Sequence, residues 1–220
     1  MCPLLPTRKP LLCYVTDRRS LADEPELSLK LQIKKIELAA KAGVDWIQLR
    51  EKDLSVRELV KLGKQAMMLA GSGTSVLVND RVDAACAAGA RGVHLGEQSL
   101  PVGQTRRLLS ERFPEDNFCL GVSAHSLEGA RQAEQAGADY VIFGPIYATP
   151  SKASFGEPQG LARLRELCQQ LKIPVLAIGG IKLENAGECF RAGARGIAAI
   201  RLFQEAEDLE AVVRELRRDS

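Results

Sequence analysis

Four copies of one short phrase constrain this chain more than any other feature. Ala42-Gly43-Val44-Asp45-Trp46-Ile47 is followed by Ala88-Gly89-Ala90-Arg91-Gly92-Val93, Ala136-Gly137-Ala138-Asp139-Tyr140-Val141 and Ala192-Gly193-Ala194-Arg195-Gly196-Ile197, at intervals of 46, 48 and 56 residues. Each copy reads as a helix ending on a left-handed glycine, a short polar turn, then an apolar strand. Such an interval holds two strand–helix units, so a further apolar run belongs between each pair of copies. The full series of predicted strands is 11–16, 46–49, 75–78, 92–95, 118–122, 140–143, 174–178 and 196–200. Short continuous apolar runs suit parallel strands covered on both faces. Helical periodicity fills the intervals, for example over 58–69 and 127–135. Eight alternations predict an α/β chain folded as a single-domain (β/α)8 barrel over residues 1–220, with a doubly wound open sheet as the alternative.

Composition narrows the function classes. The 220 residues are 45% hydrophobic and 26% charged, with a net charge of +2. So small a charge argues against nucleic acid or a membrane surface as partner. The chain has no apolar run of about 18 residues, and the segment Met1-Cys2-Pro3-Leu4-Leu5-Pro6 lacks the shape of a signal peptide, which predicts a cytoplasmic protein. The six cysteines (Cys2, Cys13, Cys86, Cys119, Cys168 and Cys189) form no CxxC pair, and there are two histidines. Neither a disulfide framework nor structural zinc is expected. Self-association is left open by the sequence.

In a barrel of this class the active site lies at the carboxyl ends of the strands. Those ends collect Asp17; Gln48, Arg50, Glu51 and Lys52; Asn79 and Asp80; His94, Glu97, Gln98 and Ser99; Ser123 and His125; the stretch 144–152; Gly179 and Gly180; and Arg201. This cationic rim suits an anionic, phosphorylated ligand with a metal. Arg50 and Lys52, two apart, are expected to project the same way and grip one anion; a surface salt-bridge run with Glu51 and Asp53 is the plainer reading. Asp80 reads equally as an Mg²⁺ ligand or as a helix N-cap. Gly179-Gly180 ahead of a helix lets backbone N–H groups approach a phosphate. The long 144–160 loop suits a lid, with Thr149, Ser151 and Lys152 as donors. His125 can move protons near neutral pH, whereas His94, inside an apolar run, reads as a satisfied packing residue or as one that supports the site residues from behind.

In order along the chain, the segments 48–53, 78–80, 92–96, 121–125, 137–145, 149–152 and 177–181 resemble the thiamine phosphate synthase and thiazole tautomerase superfamily. The synthase branch implies a transferase that joins hydroxymethylpyrimidine pyrophosphate to thiazole phosphate, releasing pyrophosphate through a dissociative route. By that resemblance Gln48, Arg50, Lys52, Asn79 and Lys152 contact the pyrimidine pyrophosphate and Asp80 binds Mg²⁺. Ser123, His125 and Lys152 would be catalytic. Thr149, Ser151, Gly179, Gly180, Ile200 and Arg201 would hold the thiazole phosphate. The implied partners are thus small phosphorylated pyrimidine and thiazole molecules. Two positions depart from the synthase pattern: Ser99 stands where a second metal carboxylate is expected, with Glu97 two residues out of register, and Arg201 stands where a small serine is expected. The tautomerase branch, an isomerase using His125 and needing no Mg²⁺, is the alternative, and a non-catalytic thiazole-phosphate-binding barrel is the third reading.

Overall fold

The computed structural model of the chain describes residues 4, 10–96, 98–112, 118–149 and 157–218. Eight parallel strands close into a barrel in sequence order, β8 pairing with β1. They are β1 Leu11–Val15, β2 Trp46–Leu49, β3 Ser75–Asn79, β4 Gly92–Leu95, β5 Cys119–Ala124, β6 Tyr140–Phe143, β7 Val175–Ile178 and β8 Gly196–Ala199. The helices outside are α1 Pro25–Lys41, α2 Val56–Ala70, α3 Val82–Ala88, α4 Val102–Arg112, α5 Leu127–Gln135, α6 Gly160–Gln170, α7 Leu183–Arg191, a single-turn α8 Arg201–Gln204 and α9 Leu209–Arg218. A 3-10 turn, Arg18–Ser20, follows β1. The predicted strands are recovered with ends moved by one or two residues. The largest shift extends β5 to Ala124, which brings Ser123 into the strand.

The repeated phrase is one backbone device used four times. Gly43, Gly89, Gly137 and Gly193 all have positive φ, between 74° and 104°. In every copy the residue after the glycine donates its N–H five residues back, as in Ala138 N to Ala133 O at 2.9 Å and Ala194 N to Cys189 O at 3.1 Å. The glycine itself donates three residues back, the paired bonds of a Schellman cap. The next residue then joins the preceding strand: Asp45 N to Leu12 O, Arg91 N to Val76 O, Asp139 N to Leu120 O and Arg195 N to Val175 O. Where that residue is aspartate its carboxylate also accepts a strand amide, Leu12 N at 2.8 Å for Asp45 and Leu120 N at 2.7 Å for Asp139. An arginine from a nearby helix completes each: Arg217 of α9 lies 2.7 Å from Asp45, and Arg106 of α4 lies 2.6 Å from Asp139. Both pairs are largely shielded, so removing one partner would leave a poorly solvated charge, a cost of about 3 kcal/mol.

Side-chain alternation along the strands divides the interior into floor and mouth. Leu11, Cys13, Trp46, Leu77, Cys119, Tyr140, Leu176 and Ala198 pack together inside the barrel. The Trp46 and Tyr140 rings lie 4.8 Å apart, and the Trp46 indole N–H donates to Leu4 O at 3.1 Å. Further along toward the carboxyl ends of β2, β3, β4 and β5, the inward positions become Gln48, Asn79, His94 and Ser123. The second, larger core lies between the strands and the helices. Cys119 is disulfide-bonded, which corrects the expectation of a chain without disulfides. Sequence spacing carries no signal for a bridge made by tertiary contact alone. Cys13, Cys86, Cys168 and Cys189 are free thiols.

Candidate active site

A cavity of about 780 Å³ opens at the carboxyl ends of the strands, a size suited to small-molecule ligands. By strand order, β2–β4 and β6–β8 form facing walls. The first wall presents Gln48, Arg50, Asn79 and His94, with Ser123 of β5 and His125 just past its end beside it. The second presents Gly144, Thr149, Gly179, Gly180, Ile200 and Arg201. Glu97, Ser151 and Lys152 lie outside the described residues.

On the first wall the Gln48 amide donates to Asn79 Oδ1 at 2.9 Å. Gln48 is buried, and its own carbonyl oxygen has no hydrogen-bond partner. That oxygen is sealed from solvent, so leaving it unpaired costs free energy that a donor reaching it would recover. Arg50 lines both this cavity and an adjoining cleft of about 310 Å³. Lys52 lines only the cleft, not the cavity. The expected shared projection thus holds for the cleft alone, since β2 ends at Leu49 and strict alternation ends with it.

His94 lines the cavity as a buried, hydrogen-bonded residue behind Ser123, one of the two places its apolar run left open, and its in-strand register with Gln48 and Asn79 selects that place. Its Nε2 lies 2.9 Å from Ser123 Oγ and its Nδ1 lies 3.1 Å from Tyr140 OH. Burial, followed by the neighbouring Arg50 charge, lowers its pKa to about 3. Burial also pushes the Tyr140 phenol well above its usual range, so Tyr140 keeps its proton. Neutral His94 carries one ring proton, and its two partners are hydroxyls that can donate or accept, so both ring nitrogens are paired in either tautomer. Ionisation of His94 has a measurable consequence. In the unfolded chain His94 takes up a proton near pH 6.5, but in the fold only near pH 3. Stability from this source is complete above the first value and is lost as pH falls toward the second. Between about pH 7 and pH 4 the melting temperature of the wild type should fall more steeply than that of His94→Gln; equal slopes would contradict the assignment.

Asp80 stands just past β3 at φ 67°, the single non-glycine with positive φ among the described residues. It does not cap α3, whose N-cap is Arg81 without a side-chain cap bond. Its carboxylate instead accepts the Ser99 hydroxyl, and Ser99 Oγ also accepts Gly96 N at 2.7 Å. The serine at the departing position therefore faces the carboxylate directly. One carboxylate and one hydroxyl are hard oxygen donors, a set that fits Mg²⁺ when phosphate oxygens and water complete the shell. Among the described residues no cluster of three His, Cys, Asp or Glu side chains could hold a metal without such help.

The second wall is built by a close backbone approach. Ile146 N donates to Ile178 O at 2.8 Å and Tyr147 N to Gly179 O at 3.0 Å, so the 144–149 loop runs against the end of β7. Gly180, at φ 65°, sits where a Cβ would lie 2.7 Å from both Ala148 O and Tyr147 Cβ. Tyr147 anchors this loop by donating to Glu188 Oε2 at 2.8 Å. Arg201 reaches across from the β8 end and donates to Thr149 Oγ1 at 2.7 Å. His125 donates from Nδ1 to Gly144 O, which fixes its ring beside the same loop. Lys182 is a lining cation that sequence reasoning missed. Its place two residues beyond Gly180, at the N-cap of α7, was the available clue.

Comparison with known proteins places these features in context. The family model described as thiamine monophosphate synthase matches residues 12–203. A thiamine-phosphate synthase of Moorella thermoacetica is 45% identical over 180 residues, covering 81% of this chain and 83% of the relative. One from Chloroflexus aurantiacus is 43% identical over 183 residues, covering 83% and 82%. The solved structure of thiamine phosphate pyrophosphorylase from Pyrococcus furiosus superposes with a TM-score of 0.81 at 36% identity, covering 97% of each chain.

Proposed function

The chain belongs to the thiamine monophosphate synthase family and is a thiamine-phosphate-forming transferase; from that premise we propose how its residues carry out the transfer. Hydroxymethylpyrimidine pyrophosphate lies along the β2–β4 wall and thiazole phosphate along the β6–β8 wall. The observation that carries this reading is the two-walled cavity, with Arg50 above a polar Gln48–Asn79–His94–Ser123 face and Gly179-Gly180 with Arg201 opposite. Gln48, through its unpaired carbonyl, accepts from the pyrimidine amino group, and Asn79 fixes the Gln48 amide. Arg50 and Lys52 hold the pyrophosphate. The bond from the pyrimidine methylene to the pyrophosphate oxygen breaks with its electron pair leaving on pyrophosphate. The thiazole nitrogen lone pair then captures the cationic carbon, forming the new carbon–nitrogen bond.

No proton need move in that exchange. The task of the protein is to bind the departing charge and to exclude water. Ser123, held by His94, presents its hydroxyl to the reacting centre, and neutral His94 adds no charge that would repel the cation. Gly179, Gly180, Thr149, Ile200 and Arg201 hold the thiazole phosphate, together with Ser151. Lys152 reaches the pyrophosphate from the lid, and His125 orders the lid base through Gly144. Asp80 and Ser99 would hold Mg²⁺, with Glu97 as a further candidate. When bound, Mg²⁺ neutralises charge on the leaving pyrophosphate. Among the described residues no helix is long and apolar enough to cross a membrane, which agrees with a cytoplasmic enzyme.

Chelation tests the metal assignment. EDTA should lower thiamine phosphate formation by at least about 100-fold and Mg²⁺ should restore it. Ser99→Asp should then lower the Mg²⁺ concentration needed for half-maximal rate, because a second carboxylate strengthens a hard-cation site. Full activity in EDTA would remove Mg²⁺ from the account and return weight to proton transfer by His125.

A further inference from the structure

Arg50, Glu51, Lys52 and Asp53 place alternating charges on four consecutive residues. All four line one cleft of about 310 Å³, together with Asp17 and Arg19. Left to themselves, neighbouring opposite charges in one cleft would pair, and an incoming anion would have to displace a carboxylate. They do not pair. Among the described residues the side chains of Arg50 and Lys52 make no ion pair and no hydrogen bond.

Both carboxylates instead turn to Arg18, whose buried guanidinium hydrogen-bonds Asp53 and lies near Glu51 without a hydrogen bond from its Nε. Arg18, in the turn after β1, is 7% exposed. Its Nη2 lies 2.6 Å from Asp53 Oδ2 and its Nε lies 3.8 Å from Glu51 Oε2. Its Nη1 donates to Ser28 Oγ of α1 at 3.0 Å, and its backbone N–H donates to Glu51 Oε2 at 3.2 Å. Glu51 also accepts the Thr16 hydroxyl, whose oxygen in turn accepts Arg50 N–H at 3.0 Å. The end of β2 is thereby fixed with its acidic side chains turned to Arg18 and its basic ones left available.

From this arrangement we infer that Arg18 is a positioning residue that sorts the charges of the β2–α2 loop: by engaging Glu51 and Asp53 it keeps Arg50 and Lys52 available for the substrate anion. The inference rests on the assignment of Arg50 and Lys52 to the pyrophosphate. The guanidinium fork suits the task because it reaches two carboxylates and a hydroxyl at once, which an ammonium on a flexible stem does not. Arg18 acts through its neighbours and touches no reacting atom.

Steady-state kinetics with each substrate varied in turn test the idea. Arg18→Lys keeps the charge but loses the fork, so Asp53 is released toward Lys52. KM for hydroxymethylpyrimidine pyrophosphate should rise about tenfold, with kcat and KM for thiazole phosphate unchanged. Adding Asp53→Asn to Arg18→Lys removes the competing carboxylate and should return that KM to within about twofold of wild type. A purely structural role predicts the reverse, because the double variant lacks one more native contact. Asp53→Asn alone changes an exposed carboxylate and tests the same point should Arg18→Lys fail to fold: its KM should stay at or below the wild-type value. An increase in KM in Asp53→Asn, or no rescue in the double variant, overturns the inference. Lys52→Ala separates the two levels. If it leaves KM for the pyrimidine substrate unchanged, the pyrophosphate assignment fails and this inference falls with it; if it raises that KM while Arg18→Lys does not, only the inference falls.

Discussion

Arg50→Ala should lower kcat/KM for hydroxymethylpyrimidine pyrophosphate by about 100-fold, while KM for thiazole phosphate stays within about threefold of wild type. The guanidinium stands at the junction of the cavity and the adjoining cleft, the position from which one side chain serves both. It makes no ion pair among the described residues, so its charge is available to the leaving group. Charge that develops on pyrophosphate as its bond breaks strengthens this contact in the transition state, so the loss should fall on kcat as well as on KM. Separate titrations of the two substrates read the effect. An equal loss for both substrates would show that Arg50 supports the fold of the mouth rather than one ligand.

Gly180→Ala should give the mirror result, raising KM for thiazole phosphate about 30-fold and leaving KM for the pyrimidine substrate nearly unchanged. Gly180 adopts φ 65°, where an L side chain costs roughly 1–2 kcal/mol. Its new methyl would also meet Ala148 O and Tyr147 Cβ at 2.7 Å. Neither neighbour yields easily, since Tyr147 is tied to Glu188 and its amide to Gly179 O. The loop carrying Thr149 would move outward, parting Thr149 from Arg201. Together the two variants test whether one cavity has two separately addressed anion-binding walls. Should Gly180→Ala raise the KM of the pyrimidine substrate instead, the walls have been assigned in reverse.

The barrel was legible because its repeated cap is local chemistry. A glycine at positive φ and the bonds around it involve only a few consecutive residues, so four copies announce four helix ends and four strand starts. The aspartates in two copies are less transparent. Nothing adjacent to Asp139 reveals that Arg106, 33 positions earlier, completes it. The same limit hid the role of Glu51 and Asp53. Their spacing suggests pairing with Arg50 and Lys52, but the 3-10 turn delivers Arg18 to them and reverses the partnership. For His94 the sequence left two places open, because apolar neighbours are shared by buried packing residues and by residues that support a barrel mouth. Only the register that places it beside Asn79 and Gly121 separates the two. Ser99 was visible as a departure, but its contact with Asp80 is tertiary and had to be seen.

The central claim is that this barrel joins two phosphorylated molecules and releases one pyrophosphate for each junction made. The most direct measurement incubates the purified protein with hydroxymethylpyrimidine pyrophosphate, thiazole phosphate and Mg²⁺, and follows thiamine phosphate and pyrophosphate together. The account predicts that both products appear in equal amounts and that neither appears when either substrate is omitted. Absence of thiamine phosphate at every Mg²⁺ concentration, or conversion of a thiazole phosphate tautomer alone, would contradict it.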